Sequence, residues 1–328
     1  MRKISAEGAE QRLKSRVWLE YIHTEEKKMR ISTQTDTLAG SYGDKEALRL
    51  IAEAGFDCVD FSLFKKLSYG EIVNGKFDGF LFEPKEKVLD YYRGIKAAAD
   101  EYGIAFGQLH TPFPSLLPLR PELDEKLIYV QKLSLEIAAV LDCPYAIVHP
   151  ICGNDLKPEG YFEANMRFYG ELAPVAKELG VGICLENMFT SYPASGKLFG
   201  SSCSTPEETI RYIDTLNEKY DSVFSYCLDV GHAHICGKDP AEFVRKLGRR
   251  LTTLHVQDNN GVVDQHIIPY LGGIDWDSFC AALKETGYSG SFNFEADYFI
   301  SKFPKELGGE AVKLTYSIGR YLVGKYEL

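Results

Sequence analysis

Five of the seven histidines in this 328-residue chain, together with four acids, stand at or just beyond the ends of short apolar runs. His110 follows the run 104–109, His149 closes 145–149, Glu186 closes 181–186 and Asp229 closes 224–229. His232 sits on the turn after Asp229, and His255 lies near the end of 251–256. Asp264 and His266 lie in the loop beyond, and Glu295 closes 291–295. Imidazole and carboxylate without thiolate suit an open, catalytic Zn, Mn, Fe(II), Co or Mg site better than a closed structural zinc. The same groups move protons. Taken singly, each residue has a duller account. A histidine at a strand end is commonly a hydrogen-bonded core residue, and a carboxylate there often caps the next helix. Asp258 and Asp264 sit among Asn and Gly, as turn residues do. Taken together, Glu186, Asp229 and Glu295 would set three anions side by side, which is costly unless a cation or raised pKa values compensate. A divalent metal is the simplest compensation.

Such a set needs elements that bring distant positions to one mouth. Eight β-branched or apolar runs alternate with amphipathic windows: 30–34, 58–62, 104–109, 145–149, 181–186, 224–229, 251–256 and 291–295. The helical windows are 44–54, 87–102, 121–141, 161–179, 206–220, 240–250, 276–286 and 305–325. Thr205-Pro206 and Asp239-Pro240 read as caps followed by proline in the first turn, and Gly55, Gly180 and Gly287 as helix stops. Eight βα units predict an α/β fold, a single (β/α)8 TIM barrel over residues 29–328, whose strand C-termini carry the site. Residues 1–28, highly charged, form an N-terminal extension outside that frame.

Composition narrows the partners. With 37 Lys+Arg against 47 Asp+Glu, the net charge of −10 disfavours non-specific nucleic-acid binding. No run of about 18 apolar residues offers a membrane span, and the charged N-terminus lacks the apolar centre of a secretory signal. The eight cysteines include no Cys-x-x-Cys pair, and Cys184 and Cys227 fall in apolar runs, as buried reduced thiols of a cytoplasmic protein would. Cys152 and Cys236, nearer the mouth, are expected to pack.

The motifs Leu185-Glu186-Asn187, Leu228-Asp229-Val230-Gly231-His232-Ala233 and Leu254-His255-Val256-Gln257-Asp258-Asn259 then follow in order. Asp264-Gln265-His266, Gly272-Gly273-Ile274-Asp275-Trp276 and Phe294-Glu295 complete the series. In this order and spacing the chain resembles the xylose isomerase-like TIM barrels over about residues 30–322. That superfamily includes sugar (phosphate) isomerases and epimerases and the zinc apurinic/apyrimidinic endonucleases. The resemblance implies a divalent ion (Mn, Zn, Co or Mg) held by Glu186, Asp229, His255 and Glu295. It also implies an isomerase or epimerase of a small sugar or related hydroxy-ketone, acting in carbohydrate metabolism. Glu186 and Glu295 would pass a proton through a metal-stabilised enediolate, while His232, His110 and Asn187 bind substrate. His110, His149, His232, Asp264 and His266 match the additional ligands of the three-zinc endonuclease branch, so one ion is expected and up to three are possible. A homodimer is possible too, since relatives commonly pair.

Two departures stand out. A nuclease needs basic loops to grip DNA, yet the loops after the strands are neutral, aromatic or acidic (Phe113-Pro114-Ser115, Asn187-Met188-Phe189, Asp297-Tyr298-Phe299), so no nucleic-acid partner is expected. The ketose 3-epimerase branch places an arginine a few residues after His255, where this chain has Gly261 to Asp264. The alternatives are therefore a zinc phosphodiesterase of the apurinic endonuclease type, an inosose or dehydroshikimate-type dehydratase, and a barrel that only binds sugar. The insertion 65–84, rich in Tyr, Phe and Gly, reads either as a lid over the mouth or as a surface excursion or dimer contact. Trp276 reads as packing.

Overall fold

The computed structural model describes residues 28–328, so the expected extension 1–28 lies outside the described residues except for Lys28. The barrel strands are β1 (Ile31–Gln34), β2 (Cys58–Ser62), β3 (Ala105–His110), β4 (Tyr145–Ile147) and β5 (Gly182–Glu186). After a hairpin of β6 (Phe189–Ser191) and β7 (Leu198–Gly200), they continue as β8 (Phe224–Asp229), β9 (Leu251–His255) and β10 (Phe292–Phe294). All eight run parallel in the order β10-β1-β2-β3-β4-β5-β8-β9, while β6 and β7 pair antiparallel. Val256 closes the ring. Its N–H donates to the Asn293 carbonyl at 2.7 Å, and its own carbonyl accepts the Glu295 N–H at 3.0 Å. The expected (β/α)8 architecture is the one observed.

Local chemistry explains the frame. Helices Asp44–Ala54, Pro206–Tyr220 and Trp276–Thr286 run over the spans that the sequence predicts. The side chains of Thr205 and Asp239 accept backbone N–H groups of their helices, and Gly55, Gly180 and Gly287 end helices in the left-handed conformation. Strand alternation sorts the side chains. In β2, Val59 and Phe61 join the apolar shell beneath the helices, while Cys58 and Asp60 belong to the polar lumen. The lumen is stacked in layers, with Ile147, Cys184 and Cys227 supplying an apolar patch two residues below His149, Glu186 and Asp229 along their strands.

Two expectations need correction, and one open alternative narrows. β4 ends at Ile147, before Pro150, not at His149; the Val148 N–H still donates to the Cys184 carbonyl at 3.0 Å, so His149 keeps its place at the rim. Short helices at Asp36–Tyr42, Val230–Ile235 and Asp297–Ser301, absent from the sequence reading, follow β1, β8 and β10 at the mouth. Of the two readings of the insertion 65–84, its packing favours the surface excursion. It folds into a helix, Tyr69–Val73, and a 3-10 turn, Phe80–Phe82, and its aromatics pack outward: Phe80 against Tyr91 and Tyr92, Phe82 against Tyr129. None of its residues lines the central cavity; Tyr69 only stacks on Phe113 at the rim. Among the described residues no helix is long and apolar enough to cross a membrane.

Candidate metal centre

A cavity of about 830 Å³ opens at the C-terminal ends of the strands. His110, His149, Glu186, His232, Asp264, His266 and Glu295 line it, and Asp229 and His255 lie fully buried directly beneath. All nine sequence-predicted donors therefore meet in one place. Ligand atoms of Glu186, Asp229, His255 and Glu295 lie within 4.8 Å of one another. Three further groups, His110 with His149 and Glu186, His232 with Asp264 and His266, and Asp60 with His110 and His255, meet the same criterion.

The contacts tie these groups together. His255 Nδ1 lies 2.9 Å from Glu186 Oε1 and 3.3 Å from Glu295 Oε2. His149 Nε2 is 3.1 Å from Glu186 Oε2 and 3.0 Å from His110 Nε2. His266 Nε2 is 2.8 Å from Asp264 Oδ2, and His232 Nε2 is 3.6 Å from the same oxygen. Burial pushes the Glu295 and Asp229 carboxyls above the ordinary carboxylate range, and neighbouring acids add to the rise. Burial would lower His266, but Asp264 beside it outweighs that and raises the imidazole to about 10. His110 falls well below its ordinary value through burial and the nearby His149 and His255, which leaves it neutral and fit to ligate.

The donors suit a divalent cation. Asp229 Oδ2 and His149 Nδ1 are buried without a hydrogen-bond partner, and Glu186 Oε2 and Glu295 Oε2 are buried against nothing but the edges of His149 and His255, at 3.1 and 3.3 Å, without a well-formed hydrogen bond. Buried carboxylate oxygens are seldom left unpaired unless something else satisfies them. Three such oxygens from three strands, gathered with one imidazole, match the mixed N/O ligand set of Zn or Mn.

Neighbouring residues fix the ligands in place. Asn187, expected to touch substrate, does not line the cavity. Its Nδ2–H donates to the Asp229 carbonyl and its Oδ1 accepts the Asp229 N–H, both at 2.8 Å, so it orients Asp229. Gly231 lets the Gln257 amide approach so closely that a Cβ there would fall 2.2 Å from it; that amide in turn donates to Asp264 Oδ1 at 2.6 Å. Asp258 is no plain turn residue. Its buried carboxylate accepts from the Asn259, Ile274 and Tyr270 N–H groups and, at 2.9 Å, from Trp276 Nε1. These bonds fold the loop 258–276 back over the rim and seat Asp264 and His266. Asp258→Ala is expected to destabilise the protein by about 3 kcal/mol, since it orphans several buried donors; urea unfolding measures it, and a change under about 0.5 kcal/mol contradicts this role for Asp258.

Strand-end reasoning also missed two polar residues. Gln34 Nε2 donates to Glu295 Oε1 at 2.8 Å and lies 2.9 Å from His110 Nδ1. Asp60 reaches His255 from mid-strand. The alternation Cys58-Val59-Asp60-Phe61-Ser62, an acid on the polar side of a buried strand, was the available signal.

Fold and site together define a (β/α)8 barrel with a cluster of nitrogen and oxygen donors at its strand C-termini. Residues 48–315 match the model of the xylose isomerase-like TIM barrel family, and the chain belongs to that family. The chain spans 63% and 50% of the length of the first curated relatives it matches, both uncharacterised proteins. An inosose isomerase of Halalkalibacterium halodurans is 25% identical over 211 residues, covering 62% of this chain and 70% of that protein. Among solved structures, a D-tagatose 3-epimerase-like protein superposes with a TM-score of 0.62 at 24% identity, over 88% of this chain and 99% of its own. The IOLI protein, solved with a bound zinc atom, superposes at 0.65 with 20% identity, over 91% and 99%.

Proposed function

We propose that this chain is a metal-dependent isomerase or epimerase of a small, uncharged polyhydroxy ketone. The observation that carries the reading is the meeting of Glu186 and Glu295, from the ends of non-adjacent strands β5 and β10, around one set of buried donors. An inosose isomerase and a D-tagatose 3-epimerase-like protein among its relatives support the same chemistry. Glu186, Asp229, His255 and Glu295 would hold a divalent ion. Such an ion, when bound, polarises a carbonyl and acidifies the neighbouring C–H. Glu186 and Glu295 then divide the proton work: one carboxylate takes the proton from carbon, and the other returns a proton to the opposite face or to the adjacent carbon. His232 and His110, on the cavity wall, hydrogen-bond substrate hydroxyls, and Phe64, Phe113, Phe189 and Tyr298 offer flat apolar faces for the C–H side of a sugar.

Charge sets the substrate class. Among the described residues that line the cavity, Asp36, Glu186, Asp264, Glu295 and Asp297 are acids and none is Lys or Arg. A phosphate ester would find no lysine or arginine on the wall to pair with, and the positive groups there, His266 and any bound ion, already face Asp264 and the ligand carboxylates. A free ketose or inosose is therefore expected to exceed its phosphate ester in kcat/KM by more than about tenfold, and a preference for the ester contradicts this substrate class. The test of the function is incubation in D2O with Mn, Co, Mg or Zn and a panel of ketoses and inososes. Deuterium appearing at carbon next to the carbonyl is the expected result. Absence of exchange and conversion across the panel contradicts it.

A second reading rests on the two flanking donor groups, His110 with His149 and His232 with Asp264 and His266. Occupied together with the central quartet, they suit a phosphodiesterase. Elemental analysis separates the two readings: one tightly held ion supports the isomerase, whereas three zincs with nicking of abasic DNA support the second. Dehydratase chemistry by the same carboxylates would appear as a new enone absorbance.

A further inference from the structure

Two short helices stand side by side at the mouth, Asp36–Tyr42 after β1 and Asp297–Ser301 after β10, and the strands that lead into them are neighbours. Each opens on an acid that lines the cavity. The two acids are not equivalent. Both oxygens of Asp36 are engaged: Oδ2 lies 3.2 Å from Lys65 Nζ, and Oδ1 accepts from Ser62 Oγ at 3.3 Å. Asp297 accepts the Thr37 N–H on Oδ1 at 3.1 Å, and its backbone carbonyl accepts from Thr37 Oγ1 at 3.2 Å. Those bonds clasp the two helices together and fix the carboxylate. The Phe299 N–H donates to the His266 carbonyl at 3.2 Å, which ties the same helix to the rim of the centre. The second Asp297 oxygen, Oδ2, bonds to no described residue, so it is the one left for the cavity. Across the ring, the loops after β3 and β5 bring Phe113, Met188 and Phe189 to the opposite wall. One side of the cavity thus accepts hydrogen bonds and the other offers apolar surface.

We propose that Asp297 is a specificity-determining residue of the site, whose open carboxylate oxygen accepts a substrate hydroxyl remote from the reacting carbonyl. The assignment rests on the polyhydroxy-ketone reading. A neutral polyol carries O–H donors along its whole length, and an ionised carboxylate only accepts. Such charge-assisted bonds are about twice as strong as neutral ones. A ketose without the far hydroxyl leaves Oδ2 facing the ligand with no donor, and sites built to bond a hydroxyl reject its deoxy analogue for that reason. The reacting end stays with Glu186 and Glu295, so Asp297 selects for chain length and hydroxyl placement and takes no part in proton transfer.

The test is a binding comparison that needs no turnover. Protein labelled with 15N and supplied with Mg(II) is titrated with D-fructose and, separately, with 6-deoxy-D-fructose, which lacks the hydroxyl farthest from the carbonyl. The amide signal of Thr37, whose N–H rests on Asp297, reads the binding. The wild type is expected to bind the deoxy sugar about 10- to 100-fold more weakly. Asp297→Asn keeps the volume and the oxygen that accepts the Thr37 N–H, but puts a donor in place of Oδ2. It is expected to lose affinity for D-fructose and to bind the two sugars alike. A merely structural clasp would weaken both sugars by one factor and preserve their ratio, and a preserved ratio overturns the proposal. So does a wild type that binds both sugars equally, or a Thr37 signal that D-fructose does not move; the wild-type comparison stands whether or not the variant folds. Binding in the expected ratio without deuterium exchange at carbon overturns the proposed function and leaves the assignment of Asp297 standing.

Discussion

Glu295→Gln and Glu186→Gln are each expected to lower turnover by at least about 10²- to 10⁴-fold, the usual worth of a positioned acid or base, while the barrel still folds. Both side chains are buried, and glutamine fills the same volume, so no cavity opens. Gln34 donates to Glu295 Oε1, a bond the amide oxygen can still accept. What is lost is the ability to accept a proton from carbon and one negative charge toward the cation. Metal content, measured on the same samples, tells the two losses apart. A variant that retains its ion yet fails to exchange deuterium has lost the proton carrier, and one that comes up empty has lost a ligand. Near-normal rates in both variants would remove Glu186 and Glu295 from the chemistry altogether.

The second large effect concerns stability and has opposite signs in two conditions. A cation bound only by the native state stabilises it by about 2.7 kcal/mol at a hundredfold excess over Kd. Chelation should then lower the melting temperature by roughly 5 °C. In the chelated protein His255 and His149 hold Glu186 in its charged form despite its burial, while burial drives Glu295 and Asp229 beside it toward their protonated forms. Glu295→Gln removes one of those carboxylates, so it should melt higher than the wild type in chelator and lower than the wild type in saturating Mn(II). Calorimetry with and without chelator measures both. A variant that melts lower than the wild type by the same amount in both conditions would mean that Glu295 packs and does not repel.

Much of this molecule is written locally. Apolar runs of five or six residues, most with a His, Glu or Asp at or beside the end and each followed by an amphipathic helix, specify βα units through hydrogen bonding and burial that a short segment completes by itself. Thr205-Pro206, Asp239-Pro240 and the glycines at 55, 180 and 287 act within one helical turn, which is why those helix boundaries were legible. Strand parity then puts every second side chain in the lumen, so the nine donors could be named before any coordinate. The sequence left 65–84 open between a lid and a surface excursion because composition reports that aromatics need burial, not which surface buries them; here the helix Lys85–Tyr102 does.

Which donors share an atom's reach is a different kind of fact. The sequence by itself determined the barrel and the residue types at its rim, because periodicity and capping act over neighbouring residues. Only the tertiary structure decided that the Asn187 amide brackets the Asp229 backbone, and that Asp60 stands behind His255. Distances across a lumen depend on strand tilt and stagger. In this chain those include the register shifts at Val59/Asp60 and Tyr226/Cys227, set jointly by strands far apart in the chain and by no single stretch of it.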